Sequence, residues 1–289
     1  MSPKFTVPAE LKPYARTINA GGVRLHFYDS GQSPGPTFVL VHGLGDEADS
    51  WRKVFPLLAA RGRVIAPDLP GFGRSGHPRR AYTLDFYAGT VEALIRVLNI
   101  KGPVLVGNSL GAGIVLRVAV RNPNLASRLV LVDGPGAKAK ISKGQLMMLT
   151  PLMGERIYTG LRASQDAAYA TLRPYYFKLD NLPAEDRAFL RERVWDRVWS
   201  DDQRRAFFST YRWLAWEGLK GHPSAVKLAQ LKVSTQIIWG DHDHVIGLDS
   251  ARALAAWIPG STLAVIKDCG HLPQQEQPEA LVRLMLAGG

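Results

Sequence analysis

At 289 residues the chain is long enough to bury one large α/β core with room for an insertion. Its 46% hydrophobic and 21% charged content excludes a disordered or fibrous protein, and a single cysteine, Cys269, excludes an internal disulfide. The net charge is +11, and 17 Lys/Arg against 10 Asp/Glu fall between Lys138 and Lys232, interleaved as in RERVWDRVWSDDQRR. Dispersed charge of this kind reads as a solvated helical exterior more than as a patch that attracts an anionic surface or substrate. No basic run sits beside a nucleic-acid motif, no zinc-ligand cluster is present, and no apolar run reaches bilayer-spanning length. The N-terminal MSPKFTVPAELKPYAR lacks the apolar stretch of a secretory signal. A cytoplasmic protein without a metal is expected; the oligomeric state is open.

In chain order, RTINAGGVRLHFYDSG predicts two strands around a Gly-Gly turn. Six apolar runs follow, each ending in polar, Gly or Asp residues: TFVLVHG, RVIAPDLPG, PVLVGNS, RLVLVDG, TQIIWGD and TLAVIKD. Continuous β-branched runs are how strands buried on both faces look. Helix-like segments such as YTLDFYAGTVEALIRVLNI alternate with them, which predicts a mostly parallel central sheet flanked by helices. The rhythm breaks in one place. Residues 135–232 hold no strand-like run and four of the seven tryptophans, Trp195, Trp199, Trp213 and Trp216. They are expected to form a helical lid inserted into a core of residues 1–134 and 233–289, with the tryptophans packing lid against core.

VGNSLGAG, Val106 to Gly113, places Ser109 between Gly107 and Gly111 where a strand-like run meets a helix-like one. A serine at such a turn is strained, with its hydroxyl presented outward, and the small residues let strand and helix press together. The helix N-terminus adds unpaired N–H groups beside it. A hydroxyl is a weak nucleophile and requires a base. His271, on the loop after the last strand-like run, is the candidate. An acid must orient that base; Asp241 and Asp243 follow TQIIWG, and Asp133 follows RLVLV. For a developing oxyanion, the N–H of Leu110 and that of Leu44, in the His42-Gly43-Leu44-Gly45 loop, are the expected donors. His42 is expected to brace that loop.

HGLG, DLPGFGRSG (Asp68 to Gly76), GNSLG, WGDHD and GH followed by E-x-P at 276–278 occur in the order of the α/β-hydrolase superfamily, which the chain resembles from about residue 20 to 287. The resemblance implies the α/β-hydrolase fold with a helical lid after the sixth strand, and an acid three residues beyond the strand-ending Gly240, namely Asp243. It also implies a reaction without a cofactor. The serine sets the chain apart from haloalkane dehalogenases and epoxide hydrolases, which use aspartate there. Asn108 before the serine resembles the meta-cleavage carbon–carbon bond hydrolases. Those enzymes have a longer glycine-rich oxyanion loop and a Trp after the catalytic histidine, where this chain has Leu272. The resemblance therefore implies a carboxylesterase-like serine hydrolase acting on a small ester. Carbon–carbon hydrolysis, cofactor-free perhydrolysis and a hydrolase-fold ligand receptor are the alternatives.

Overall fold

The structure, a computed structural model, describes residues 4–136, 143–219 and 225–287. Eight strands form one sheet: β1 (Ala15–Ala20), β2 (Val23–Asp29), β3 (Thr37–Val41), β4 (Arg63–Pro67), β5 (Val104–Asn108), β6 (Arg128–Val132), β7 (Ser234–Gly240) and β8 (Thr262–Ile266). Their spatial order is β1-β2-β4-β3-β5-β6-β7-β8. β1 and β2 form the antiparallel hairpin, turning through Gly21 and Gly22 at φ 60° and 76°, a conformation glycine adopts without steric cost. β2 runs antiparallel to β4, and every pairing from β4 to β8 is parallel.

The central strands are apolar throughout because both their faces are covered. Along β3, Val39 and Val41 enter one core while Phe38 and Leu40 enter the other. The first core is closed by α2 (Leu84–Val97), α3 (Leu110–Arg121) and α10 (Leu248–Trp257). The second is closed by α1 (Val54–Ala59) and α12 (Pro278–Ala287), preceded by the single turn α11 (Pro273–Glu276). The Thr83 hydroxyl caps α2 by accepting from the Phe86 N–H, and Asn99 in the left-handed region ends it.

Between β6 and β7 the described residues form α4 (Lys143–Leu149), α5 (Met153–Gly160), α6 (Gln165–Ala170), α7 (Ala184–Trp199), α8 (Asp201–Leu219) and α9 (Ala225–Ala229), with short 3-10 turns and no strand. Residues 137–142 and 220–224 of the expected lid lie outside the described residues. This helical segment has its own small core of Ala168, Tyr169, Tyr176, Leu179, Leu190, Val194 and Val198, against which Trp195 and Trp199 pack. Trp195 and Trp199 thus pack chiefly inside the segment, and Trp213 and Trp216 remain 38% and 51% exposed, so the described residues do not show the expected tryptophan packing of lid against core.

The expectation that the charges of this segment are solvated is overturned on one side of α7. Asp186, Arg193 and Asp196 on α7 are buried. Asp186 pairs with Arg52 and Lys53, Arg193 donates to the Thr6 carbonyl, and Asp196 accepts from the N–H groups of Lys4 and Phe5. Arg197 reaches Asp46 at 2.5 Å and Glu47 at 2.9 Å. These charges fasten α7 to the sheet domain, because buried ions need partners and the partners are there.

Candidate active site

Ser109 stands between β5 and α3 at φ 55°, ψ −115°. A non-glycine residue in that region is strained and persists only when its surroundings hold it. They do so here: its N–H donates to the Val132 carbonyl at 2.9 Å, and its carbonyl accepts from Ala112 at 3.1 Å. The flanking glycines are required by contact. A Cβ on Gly107 would lie 2.2 Å from the Gly111 carbonyl oxygen, and one on Gly111 would lie 2.1 Å from that of Val41.

His271 is buried, with Nδ1 2.7 Å from Asp243 Oδ2. A carboxylate has no proton to give, so Nδ1–H donates and Nε2 is left as the ring's acceptor. The other Asp243 oxygen accepts from the N–H groups of Val245 and Ile246 at 2.8 and 2.9 Å. The histidine backbone is held from two sides: its N–H donates to the Tyr175 carbonyl at 2.8 Å, and its carbonyl accepts from Asn108 Nδ2 at 3.1 Å. Asn108 thus ties the residue before the serine directly to the histidine loop. Of the other acids, Asp241 turns away, accepting from His242 Nδ1 at 2.7 Å and the Cys269 N–H at 3.2 Å. Asp133 is buried, and one of its oxygens lies within 4.8 Å of ligand atoms on both Asp243 and His271.

The HGLG loop lies over the serine: a Cβ on Gly43 would be 3.4 Å from Ser109 Cβ, and one on Gly45 would be 3.3 Å from the Phe207 ring. His42 is fully buried and braces the loop. Its Nε2 accepts from the Leu69 N–H at 2.9 Å, so Nδ1 carries the proton and donates to the Gly43 carbonyl at 2.8 Å. Burial pushes the His42 pKa down, keeping the ring neutral as this bonding requires. The Gly43 carbonyl, which also accepts from the Asp46 N–H, points to the loop interior. In a trans peptide the Leu44 N–H then points the opposite way. Leu110 is the first residue of α3, where N–H groups have no intrahelical partner. Phe207, Tyr158, Tyr211 and Tyr175 bring aromatic rings to this end of the sheet, Tyr175 with its centroid 5.8 Å from that of His271.

Below the loop, Asp68 of the DLPGFGRSG stretch accepts from the N–H groups of Ala48 and Arg74. Burial would raise its carboxyl, but the His26 hydrogen bond and the Arg74 charge outweigh that and hold it well below the usual range. Three residues of this neighbourhood are given no role by sequence reading. Gln274, fully buried, donates to Asn108 Oδ1 and Ser50 Oγ; Glu276 joins the histidine loop to the helical segment by accepting from Gly270 and Phe177 N–H groups at 2.8 Å each. Arg197 is the third. Only Glu276 carries a signal, its place in the E-x-P motif.

A family model described as the alpha/beta hydrolase fold matches residues 36–278, and the chain belongs to that family. It is 32% identical over 288 residues to the 2-hydroxymuconate semialdehyde hydrolase of Pseudomonas sp. strain CF600, spanning 97% of this chain and 95% of that relative. It is 30% identical over 277 residues to the 2-hydroxy-6-oxo-6-(2'-aminophenyl)hexa-2,4-dienoic acid hydrolase of Metapseudomonas resinovorans, spanning 94% and 89%. Among solved structures, the meta-cleavage product hydrolase CumD of Pseudomonas fluorescens IP01 superposes with a TM-score of 0.80 at 26% identity, over 97% of this chain and 98% of that one. The chain is therefore a hydrolase of this fold. Among the described residues no helix is long and apolar enough to cross a membrane.

Proposed function

We propose that Ser109, His271 and Asp243 act as nucleophile, base and orienting acid of a serine hydrolase. The observation that carries this is the buried 2.7 Å contact from His271 Nδ1 to Asp243 on a loop that Asn108 ties to the strained serine. His271 Nε2 takes the hydroxyl proton as Ser109 Oγ bonds to the substrate carbonyl carbon. The N–H groups of Leu44 and Leu110 hold the oxyanion, an arrangement whose loss costs about 3 kcal/mol per donor. The bond to the leaving group then breaks, His271 returns the proton to that group, and water repeats the sequence on the acyl-enzyme. Residues 135–232 serve as the lid, and its rings supply an apolar wall.

For the bond that breaks, the names of the relatives, hydrolases of 2-hydroxymuconate semialdehyde and of a 2-hydroxy-6-oxo-dienoic acid, favour a carbon–carbon bond next to the oxo carbon, aldehyde or ketone. The leaving electron pair then resides on carbon, and the proton from His271 ends there. A second reading, ester cleavage, is favoured by Leu272, which is buried against the helical segment where a Trp follows the histidine in the enzymes the chain resembles. Turnover of 2-hydroxy-6-oxo-6-phenylhexa-2,4-dienoate and of a nitrophenyl acetate, measured side by side, separates them. Higher kcat/KM on the dienoate supports the first reading and higher kcat/KM on the ester supports the second. Turnover of either that survives Ser109→Ala removes the serine from the mechanism.

A further inference from the structure

Asp133 directly follows β6 and lies beside Asp243, which follows β7. Its backbone is left-handed at φ 46°, and its N–H donates to the Ile238 carbonyl at 3.0 Å. The side chain is fully buried. One oxygen accepts from the Gly240 N–H at 2.9 Å, while the other has no donor among the described residues. Asp243, by contrast, accepts from two backbone N–H groups on Oδ1 and from the imidazole on Oδ2, which keeps one acceptor position open.

Two carboxylates this close in a dry site cannot both be charged, and the one with fewer donors holds the proton. We infer that Asp133 is a protonated acid donating its hydrogen to Asp243, a positioning residue that limits how strongly Asp243 attracts the imidazole proton. This accounts for the orphan oxygen, which becomes a donor instead of a stranded acceptor. The groups facing Asp133 are Asp243 and His271, with the Glu276 carboxyl and the Cys269 thiol farther off. Burial, then the Asp243 charge, pushes the Asp133 carboxyl well above the usual carboxylate range.

The kinetic test rests on the triad reading, and a spectroscopic one does not. Asp133→Asn keeps a neutral donor, so the acid limb of the kcat/KM profile should hold its midpoint. Asp133→Ala removes the donor, makes Asp243 the stronger partner of the imidazole, and should raise that midpoint by roughly 0.5–1 pH unit. A charged Asp133 at this distance predicts the opposite: Asp133→Asn would lower the midpoint by about two pH units. That result overturns the inference, as does an Asp133→Ala profile that does not move. In the infrared spectrum near pH 9, where Glu276 is ionised, the wild type should show a protonated-carboxyl band that Asp133→Asn lacks and that shifts in Asp243→Asn. Absence of the band, or no shift in Asp243→Asn, refutes the inference whether or not the protein turns over either substrate.

Discussion

Replacing Glu276 with glutamine should change stability in a pH-dependent way that wild type and variant do not share. Burial outweighs the two N–H donors on this carboxyl and, with the Asp243 charge adding to the rise, its pKa goes from 4.5 to about 7. A folded-state value above the unfolded one means that the fold favours the protonated form. The stabilisation is complete below about pH 4.5 and is lost as pH rises through about 7. A rise of roughly 2.5 pH units corresponds to about 3 kcal/mol overall, of which roughly 2.5 kcal/mol falls between pH 5 and 8. Glutamine has the shape of the neutral acid and does not titrate. In denaturant unfolding, Glu276→Gln should therefore gain about 2.5 kcal/mol relative to wild type on going from pH 5 to pH 8. All other titrating groups are common to both proteins and cancel in the comparison. A stability difference that is the same at both pH values would refute the reasoning, since it would mean that the carboxyl titrates alike in the folded and unfolded chain.

Ser109→Ala should lower kcat by about four orders of magnitude or more while thermal unfolding stays near wild type. Asp243→Asn presents an amide to His271 Nδ1 and should cost about 10⁴ in kcat, whereas Asp241→Asn, which faces His242, should cost less than about tenfold; the two rates measured together decide the acid. Gly111→Ala drives a methyl group into the Val41 and His42 carbonyls, and neither backbone can yield. Loss of more than about 3 kcal/mol is expected by urea unfolding. Arg197→Met strands Asp46 and Glu47 beneath α7, a cost of about 3–5 kcal/mol near neutral pH. The deficit should shrink in acid, because burial already raises the Glu47 carboxyl toward protonation.

What the sequence made legible was whatever depends on near neighbours in the chain. Strands covered on both faces are continuous apolar runs, so β3 to β7 could be placed by inspection, and the glycines around Ser109 announce a backbone pressed against its own helix. The acid beside His271 is two residues from a rival of identical chemistry. Family spacing favoured Asp243, and the structure brings that residue, not Asp241, to the imidazole. The physical difference is that Asp243 folds back onto the N–H groups of Val245 and Ile246, a local turn that residue identity does not disclose.

Charge on α7 was the opposite case. Its arginines and acids alternate as a solvated face does, yet Asp186, Arg193, Asp196 and Arg197 recur at steps of seven, three and one, which is one side of a helix. Their partners lie 134 residues away at Arg52, 150 at Glu47 and 191 at Phe5, and no periodicity in α7 can reveal a partner in a distant loop. The consequence reaches the site. Asp46 and Glu47 directly follow the HGLG loop, so the ion pairs that hold α7 also hold the backbone from which the Leu44 N–H projects. A helix bound there by burial of apolar surface could slide with little penalty. One bound by buried charges cannot, because each ion displaced from its partner faces desolvation without compensation. The paired charges on this side of α7 are thus the means by which its position and that of the HGLG loop are set together.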